Sequence, residues 1–362
     1  MRYKSQAMKK HLLSAVLLSL LSAPLALSAP VGGLDEPCPG DTFEKSAPLF
    51  LDDPYYPGAR MRSGKYKGQC IDTSWQRPAR ILSRAEAEAA HVPSGYVGIA
   101  NFSHGGRYWI AKIPVGAVEQ VIFQMEHFDF AAPVPVPGVG IPSAHTEVRF
   151  KFRAGSDVIL IPQSAEAAAQ GQAPEIRVSD IIYSVELVAP KGVSNFDFVE
   201  GIKGTFGIVY RFCSLDDKAK YMIADQSHRV EQFVMNLNDA QKQKLLLHSI
   251  VTSNDKGVSG IYNTAFRNCT TEAFRLFDEA LSDDPGYVVP KYLAAILDNA
   301  PSRSKHSLEI RNLLTPSMPW PDLNQEWKGT LPNAFAAPAP VAPAVATPVA
   351  APTPAPSPKP AA

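Results

Sequence analysis

The chain lacks an excess of either charge: 35 lysines and arginines stand against 35 aspartates and glutamates. A nucleic-acid binder usually carries a basic surplus on at least one face, so that class is disfavoured. Downstream of Leu27 no apolar run is long enough to cross a membrane. Cysteine is scarce, with Cys38, Cys70, Cys213 and Cys269 the only four. None of them falls in a C-x-x-C pair and the histidines show no ligand spacing, so neither a metal nor a cofactor is expected.

The two ends of the chain are the plainest parts of what is present. Arg2, Lys4, Lys9 and Lys10 precede an apolar run from Leu12 to Leu21, which Pro24 closes. Ala26, Leu27 and Ser28 then supply small residues at a cleavage box. This order predicts a secretory signal over residues 1–28, cut after Ser28 because Pro30 disfavours the bond after Ala29. No membrane-spanning segment is expected once it is cut. Residues 333–362 are almost wholly Ala, Pro, Val, Thr and Ser. Such a composition buries too little apolar area to offset the entropy of ordering, and predicts an extended tail. Roughly 300 residues remain between these ends, enough for one large domain with an added N-terminal layer.

Residues 29–95 are rich in Gly, Pro, Tyr and Asp and read as a loop-rich extension, with a short helix over Arg84 to Ala90. Export permits disulfides, and Cys38 and Cys70 lie where a staple would help; they are expected to pair, although four cysteines allow three pairings. From Tyr96 the pattern turns to strands: "YVGIANF", "RYWIAKIPV" and "VEQVIFQMEHF", then, after a Pro-rich stretch, "HTEVRFKF", "DVILIP" and "IIYSVELV". In "HTEVRFKF" Val148, Phe150 and Phe152 share one face, and His145, Glu147, Arg149 and Lys151 share the other. The second half reads as more helical. Asn238 with Gln241 makes a capping box for "NDAQKQKLLLHSIV". Asn268 caps "CTTEAFRLFDEAL", whose buried stripe is Ala273, Phe274, Phe277 and Leu281. A third helix is expected over Lys291 to Asn299. Strands followed by helices predict an α+β domain, here over residues 96–325.

Cys269 carries the strongest chemical signal. In the first turn of a helix, free N–H groups and the positive end of the dipole favour a thiolate, the attacking form of a thiol. The same amides could hold the oxyanion of a tetrahedral intermediate. The competing reading is a structural cysteine, buried or bonded to Cys213. A nucleophilic thiol needs a base, and His145 opens a strand whose polar face also holds Glu147, a group able to orient an imidazole. His127 and His104 are weaker candidates.

"SAHTEVRFKF", followed far downstream by "IYNTAFRNCTTEAFRLFDEAL", resembles the Lnb N-terminal periplasmic domain family, formerly a domain of unknown function. The matching positions are Ala144, His145 and Thr146, then Tyr183, then Tyr262, Asn263, Asn268, Cys269, Thr270 and Thr271. The resemblance covers about residues 100–300. It implies a papain-like (NlpC-like) cysteine fold in permuted order, with an antiparallel sheet, packed helices and His before Cys, and a periplasmic place in a Gram-negative-type envelope. Some members of the wider family resemble a lipoprotein N-acyltransferase that works through an acyl-thioester. The sequence departs from the family at Gln163, where a Glu is usual, and lacks the membrane-spanning region of the acyltransferase members.

The resulting expectation is an exported thiol enzyme. His145 takes the proton of Cys269, Gln163 or Glu147 orients His145, and Asn268, Tyr262 and Thr270 support the oxyanion. Acyl transfer to an amine is the leading reaction, with a lipoprotein, lipid or peptide of the cell envelope as substrate. Hydrolysis of cell-envelope peptides and an inactive binding or scaffold domain are the alternatives.

Overall fold

The computed structural model describes Cys38 and residues 53–327, apart from 57, 62, 74–75, 129–143, 170, 172, 194–197, 265, 291–297, 299–300 and 315–319. The expected signal over 1–28, the tail over 333–362 and nearly all of the helix expected at 291–299 lie outside the described residues.

Among the described residues eleven strands form one open mixed sheet. In chain order they are β1 (Arg80–Ile81), β2 (Tyr96–His104), β3 (Arg107–Pro114), β4 (Val118–His127), β5 (Ala144–Phe152), β6 (Val158–Pro162), β7 (Ile176–Val178), β8 (Asp180–Val188), β9 (Gly207–Ser214), β10 (Arg229–Val234) and β11 (Val258–Ile261). The spatial order is β10-β4-β5-β8-β9-β2-β3-β6-β7, with β1 on β2 and β11 on β9. The six segments expected to be strands each form one. The sheet is not purely antiparallel, however: β2 and β9 run parallel, with Ser103 opposite Cys213. The second half is also less helical than its sequence suggests, because β9, β10 and β11 all lie in it. β9 is buried along nearly its whole length and so lacks the alternation that marks a half-buried strand, while β10 and β11 are short, at six and four residues, and give a weak pattern.

The helices are α1 (Arg84–Ala89), α2 (Ala165–Ala169), α3 (Phe198–Ile202), α4 (Leu215–Ala219), α5 (Asp239–Lys256), α6 (Cys269–Leu281), α7 (Ser304–Ile310) and α8 (Leu323–Glu326). Asn238 and Gln241 make a capping box at α5, and Asn268 and Thr271 make one at α6. Along α6 the stripe Ala273, Phe274, Phe277 and Leu281 is buried. Phe123 of β4 stacks on Phe274 at 5.7 Å between centroids and meets Phe277 edge-on at 6.1 Å. Burying a side chain of this size is worth about 1.5–3 kcal/mol, so these rings fix where α6 starts relative to β5.

The opposite face of β5 is buried as well. Glu147 and Arg149 are each about 1% exposed, because α4 and α8 cover them. Alternation correctly put the polar side chains on one face; burial of that face depends on elements more than 60 residues downstream along the chain, at Lys218 and Glu326.

The segment before the sheet is fastened to it rather than set apart. Ile71 bridges Pro190, and Asn101, in the bulge of β2 with φ +63°, donates to the carbonyls of Tyr55 (2.9 Å) and Pro78 (3.2 Å). Cys38 and Cys70 are joined by a disulfide with their Cα atoms 5.7 Å apart.

Gly260 of β11 has φ +88°, and the Arg267 guanidinium lies where a Cβ would project. Arg267 in turn donates to Glu272 of α6 at 3.2 Å. Gly260→Ala should therefore cost about 1–3 kcal/mol, from left-handed strain plus displacement of Arg267. A urea denaturation midpoint equal to that of the unchanged protein would contradict this.

Candidate active site

The site forms where the start of α6 meets the first residues of β5, and it continues across β8. Cys269 is the first helical residue of α6. The Asn268 side chain accepts from the backbone N–H of Thr270 (2.9 Å) and Thr271 (3.0 Å), and its own amide donates to the Thr264 carbonyl at 2.8 Å. Asn268 is therefore a cap that positions Cys269, and the Thr270 and Thr271 amides are directed into that cap. Thr270 is fully buried, and its hydroxyl accepts from Thr146 Oγ1 at 3.2 Å. Tyr262 is buried near the sulfur; burial and the Cys269 charge push its phenol up, so it stays protonated and able to donate.

His145 stands beside Cys269. Its Nε2 lies 2.9 Å from Ser184 Oγ, 3.5 Å from Glu186 Oε1 and 3.9 Å from Glu147 Oε2. Ser184 donates to Glu186 Oε1 at 2.8 Å. Register explains the grouping: Glu147 pairs directly with Ser184 across β5 and β8, so His145, Glu147, Ser184 and Glu186 share one face. Lys218 enters from α4, with Nζ 2.8 Å from Glu186 Oε1 and 3.0 Å from Glu147 Oε2.

The charges are mutually stabilised. Burial alone would raise the Cys269 thiol, but the His145 charge, a bond to the imidazole and bonds from the Thr146 backbone and side chain outweigh it and bring the thiol down. Burial would lower His145, but Glu186 and the Cys269 thiolate hold it well above its usual value. Glu186 is likewise held well below the carboxylate range against its burial, by Lys218 and His145. Glu147 goes the other way, pushed up by burial more than Lys218 pulls it down. The contrast with Cys213 is direct. Both cysteines are free and buried, but burial pushes the Cys213 thiol up to about 12. Cys213 sits among Ile182, Leu215, Met222 and Trp327, a setting for a small apolar side chain.

His145, Glu147 and Glu186 bring three potential ligand atoms within 4.8 Å of one another, a spacing that could hold a metal ion. The Lys218 ammonium already lies within 3.0 Å of two of the three, so the local cation is a side chain.

Gln163 belongs elsewhere. It lies five strands from β5 in the sheet order, accepts from the Asn101 N–H at 3.0 Å and donates to Asp53 at 2.9 and 3.0 Å. Asp53 is paired with Arg77, so Gln163 helps to lock the 53–79 segment against the sheet. Among the described residues it makes no bond to His145. The two weaker histidine candidates are also engaged away from Cys269: His104 with Ser214 Oγ at 2.8 Å and His127 with Glu231 at 3.2 Å. Sequence reasoning missed Ser184, Glu186 and Lys218. The first two left a signal, since "IIYSVELV" places Ser and Glu two apart on one strand face, as "HTE" does for His and Glu. Lys218 left none.

Residues 138–288 match the family described as the Lnb N-terminal periplasmic domain. That span holds His145, Ser184, Glu186, Lys218, Tyr262 and Cys269, the whole of the cluster. The family's description as periplasmic supports export of the chain. Among the described residues no helix is long and apolar enough to cross a membrane. No curated protein and no solved structure matches the chain.

Proposed function

With residues 138–288 carrying a Lnb N-terminal periplasmic domain, we propose that the chain is a Cys–His thiol enzyme of the cell envelope that transfers an acyl group through a thioester on Cys269. The observation that carries this reading is geometric: the fold sets the buried Cys269, at the first turn of α6, against His145 of a distant strand, whose ring is held by Ser184 and Glu186. A strand-borne His followed by a helix-start Cys is the order of a permuted papain-like site.

In the first step the Cys269 sulfur attacks an acyl carbonyl. A carbon–sulfur bond forms, the bond to the leaving oxygen or nitrogen breaks, and the His145 imidazolium gives that atom its proton. In the second step His145 takes a proton from an amine or water, that nucleophile attacks the thioester carbonyl, and the thiolate leaves. The Cys269 backbone N–H and the Tyr262 hydroxyl are the donors assigned to the oxyanion, because the amides of Thr270 and Thr271 serve the Asn268 cap. Transfer to an amine is the reaction favoured. Hydrolysis of an envelope peptide differs only in the nucleophile of the second step.

The test is to incubate the protein with a short-chain activated acyl ester, then with a primary amine, and weigh it at each stage. The expected result is one acyl group on Cys269, released as an amide when the amine is added. Release only to water would favour hydrolysis, and no adduct on Cys269 would overturn the proposal.

A further inference from the structure

The geometry points to Ser184 and Glu186 as the positioning residues of His145, in the place where family resemblance suggested Gln163. This rests on the reading of Cys269 and His145 as the reacting pair. A serine has one hydroxyl proton, and Ser184 directs it to Glu186 Oε1 at 2.8 Å. Toward His145 Nε2, 2.9 Å away, Ser184 can then only accept. That fixes a proton on Nε2 and leaves Nδ1 as the basic nitrogen for the sulfur. Glu186 receives the hydroxyl and also the Lys218 ammonium on the same oxygen, so its position is held from two sides.

Glu147 is a poorer candidate although it lies on the same strand as His145. It is 3.9 Å from Nε2, a full ångström farther than Ser184 Oγ, and its Oε2 lies 3.0 Å from the Lys218 ammonium. Its relation to Lys218 is a charge pairing at 3.0 Å, which completes a fork in which one ammonium serves two carboxylates. Lys218 is itself delivered by α4, whose cap is Ser214 at the end of β9, and a π-helical turn over Lys220–Asp225 follows at once. Such turns recur at functional sites.

The titratable groups around His145 are Glu147 from its own strand, Glu186 from β8, Lys218 from α4 and Cys269 from α6; Glu126 of β4 acts on Glu147 and Lys218, and Arg211 of β9 acts on Glu186. Of these, Glu186 does most to favour the charged imidazole, so removing its charge should move the imidazole down and the thiol up.

The experiment uses the full chain and the variants Glu186→Gln, Ser184→Ala and Ser184→Thr. Two readouts need no substrate: the NMR titration of the His145 ring, and the pH profile of Cys269 alkylation by iodoacetamide. In Glu186→Gln the His145 titration should fall by about one unit, and the alkylation profile of Cys269 should move to higher pH, because a less favoured imidazolium holds the thiolate less well. Ser184→Ala should move both in the same direction. Ser184→Thr, which keeps the hydroxyl, should restore them. If Glu186→Gln does not fold because Lys218 loses one of its two carboxylates, Ser184→Ala carries the test alone, since it removes one oxygen and no charge. Folded variants whose His145 titration and alkylation profile match the unchanged protein would overturn the assignment. A shifted titration in a protein that forms no acyl adduct would instead sink the proposed reaction and leave the positioning role standing.

Discussion

Changing Cys269 to Ala should abolish the acyl adduct, and changing His145 to Ala should slow its formation by at least about a thousandfold, the scale on which members of a nucleophile–base pair act. The double variant should be no worse than Cys269→Ala, because the two groups perform one step together. Cys213→Ala serves as the control. That thiol is held in its neutral form at about 12 and is packed among apolar side chains, so its loss should leave adduct formation unchanged within a factor of about two. Each variant is weighed intact after incubation with the activated ester, and its melting temperature is checked in parallel. An adduct that persists in folded Cys269→Ala, or full activity in folded His145→Ala, would end the pairing. The pH behaviour follows from the same charges. Cys269 is lowered and His145 is raised, so thiolate and imidazolium coexist between their two pKa values. Alkylation of Cys269 should therefore persist below the range of an ordinary thiol and fall only as the thiolate itself is protonated.

The two residues proposed to react are legible in the sequence for local reasons. A cap residue beside a cysteine is visible from Asn268 and the apolar stripe of α6, because helix capping depends on neighbours within four residues. The face on which His145 lies is visible from strict alternation, because a strand has a period of two. The partners of His145 were not visible in this way. Ser184 and Glu186 meet it only through the register of β5 on β8, and register is set by the whole sheet. Lys218 meets it through the packing of a five-residue helix that has no periodic signature of its own. Gln163 was drawn in by resemblance at one position. Its bonds to Asp53 and Asn101 depend on the chain before the sheet folding back over β2, which no local pattern encodes. The mixed character of the sheet was hidden for the same reason: the parallel pairing of β2 and β9 joins residues 110 positions apart, Ser103 and Cys213.

Losing the Arg149 side chain should cost the fold heavily. It is about 1% exposed, at the centre of the polar face of β5. Its guanidinium donates to Asp180 at 2.8 Å, to Gln232 at 2.9 Å and, bidentately, to Glu326 at 2.8 and 2.7 Å. Strands β5, β8 and β10 are thereby tied to α8, near the end of the described chain. Planar, two-pronged bonding of this kind suits Arg and not Lys. Arg149→Met keeps much of the volume but strands two carboxylates on a buried face, a loss of about 3–5 kcal/mol, or roughly 10 °C in melting temperature. Arg149→Lys should recover only part of that. Acid should have a related effect. Burial would raise the Glu326 carboxyl, but the bonds and charge of Arg149 outweigh it and hold it at about 2. A carboxyl depressed on folding stabilises fully above its unfolded value of about 4.5 and loses that contribution as pH falls toward 2. The difference in stability between the unchanged protein and Glu326→Gln, read from urea curves at pH 7, 4 and 3, should therefore shrink on acidification. A constant difference across that range would show that Glu326 does not draw its stabilisation from Arg149. An Arg149→Met protein within 1 kcal/mol of the unchanged one would show that α8 is held by its apolar contacts through Leu323 and Trp327 alone.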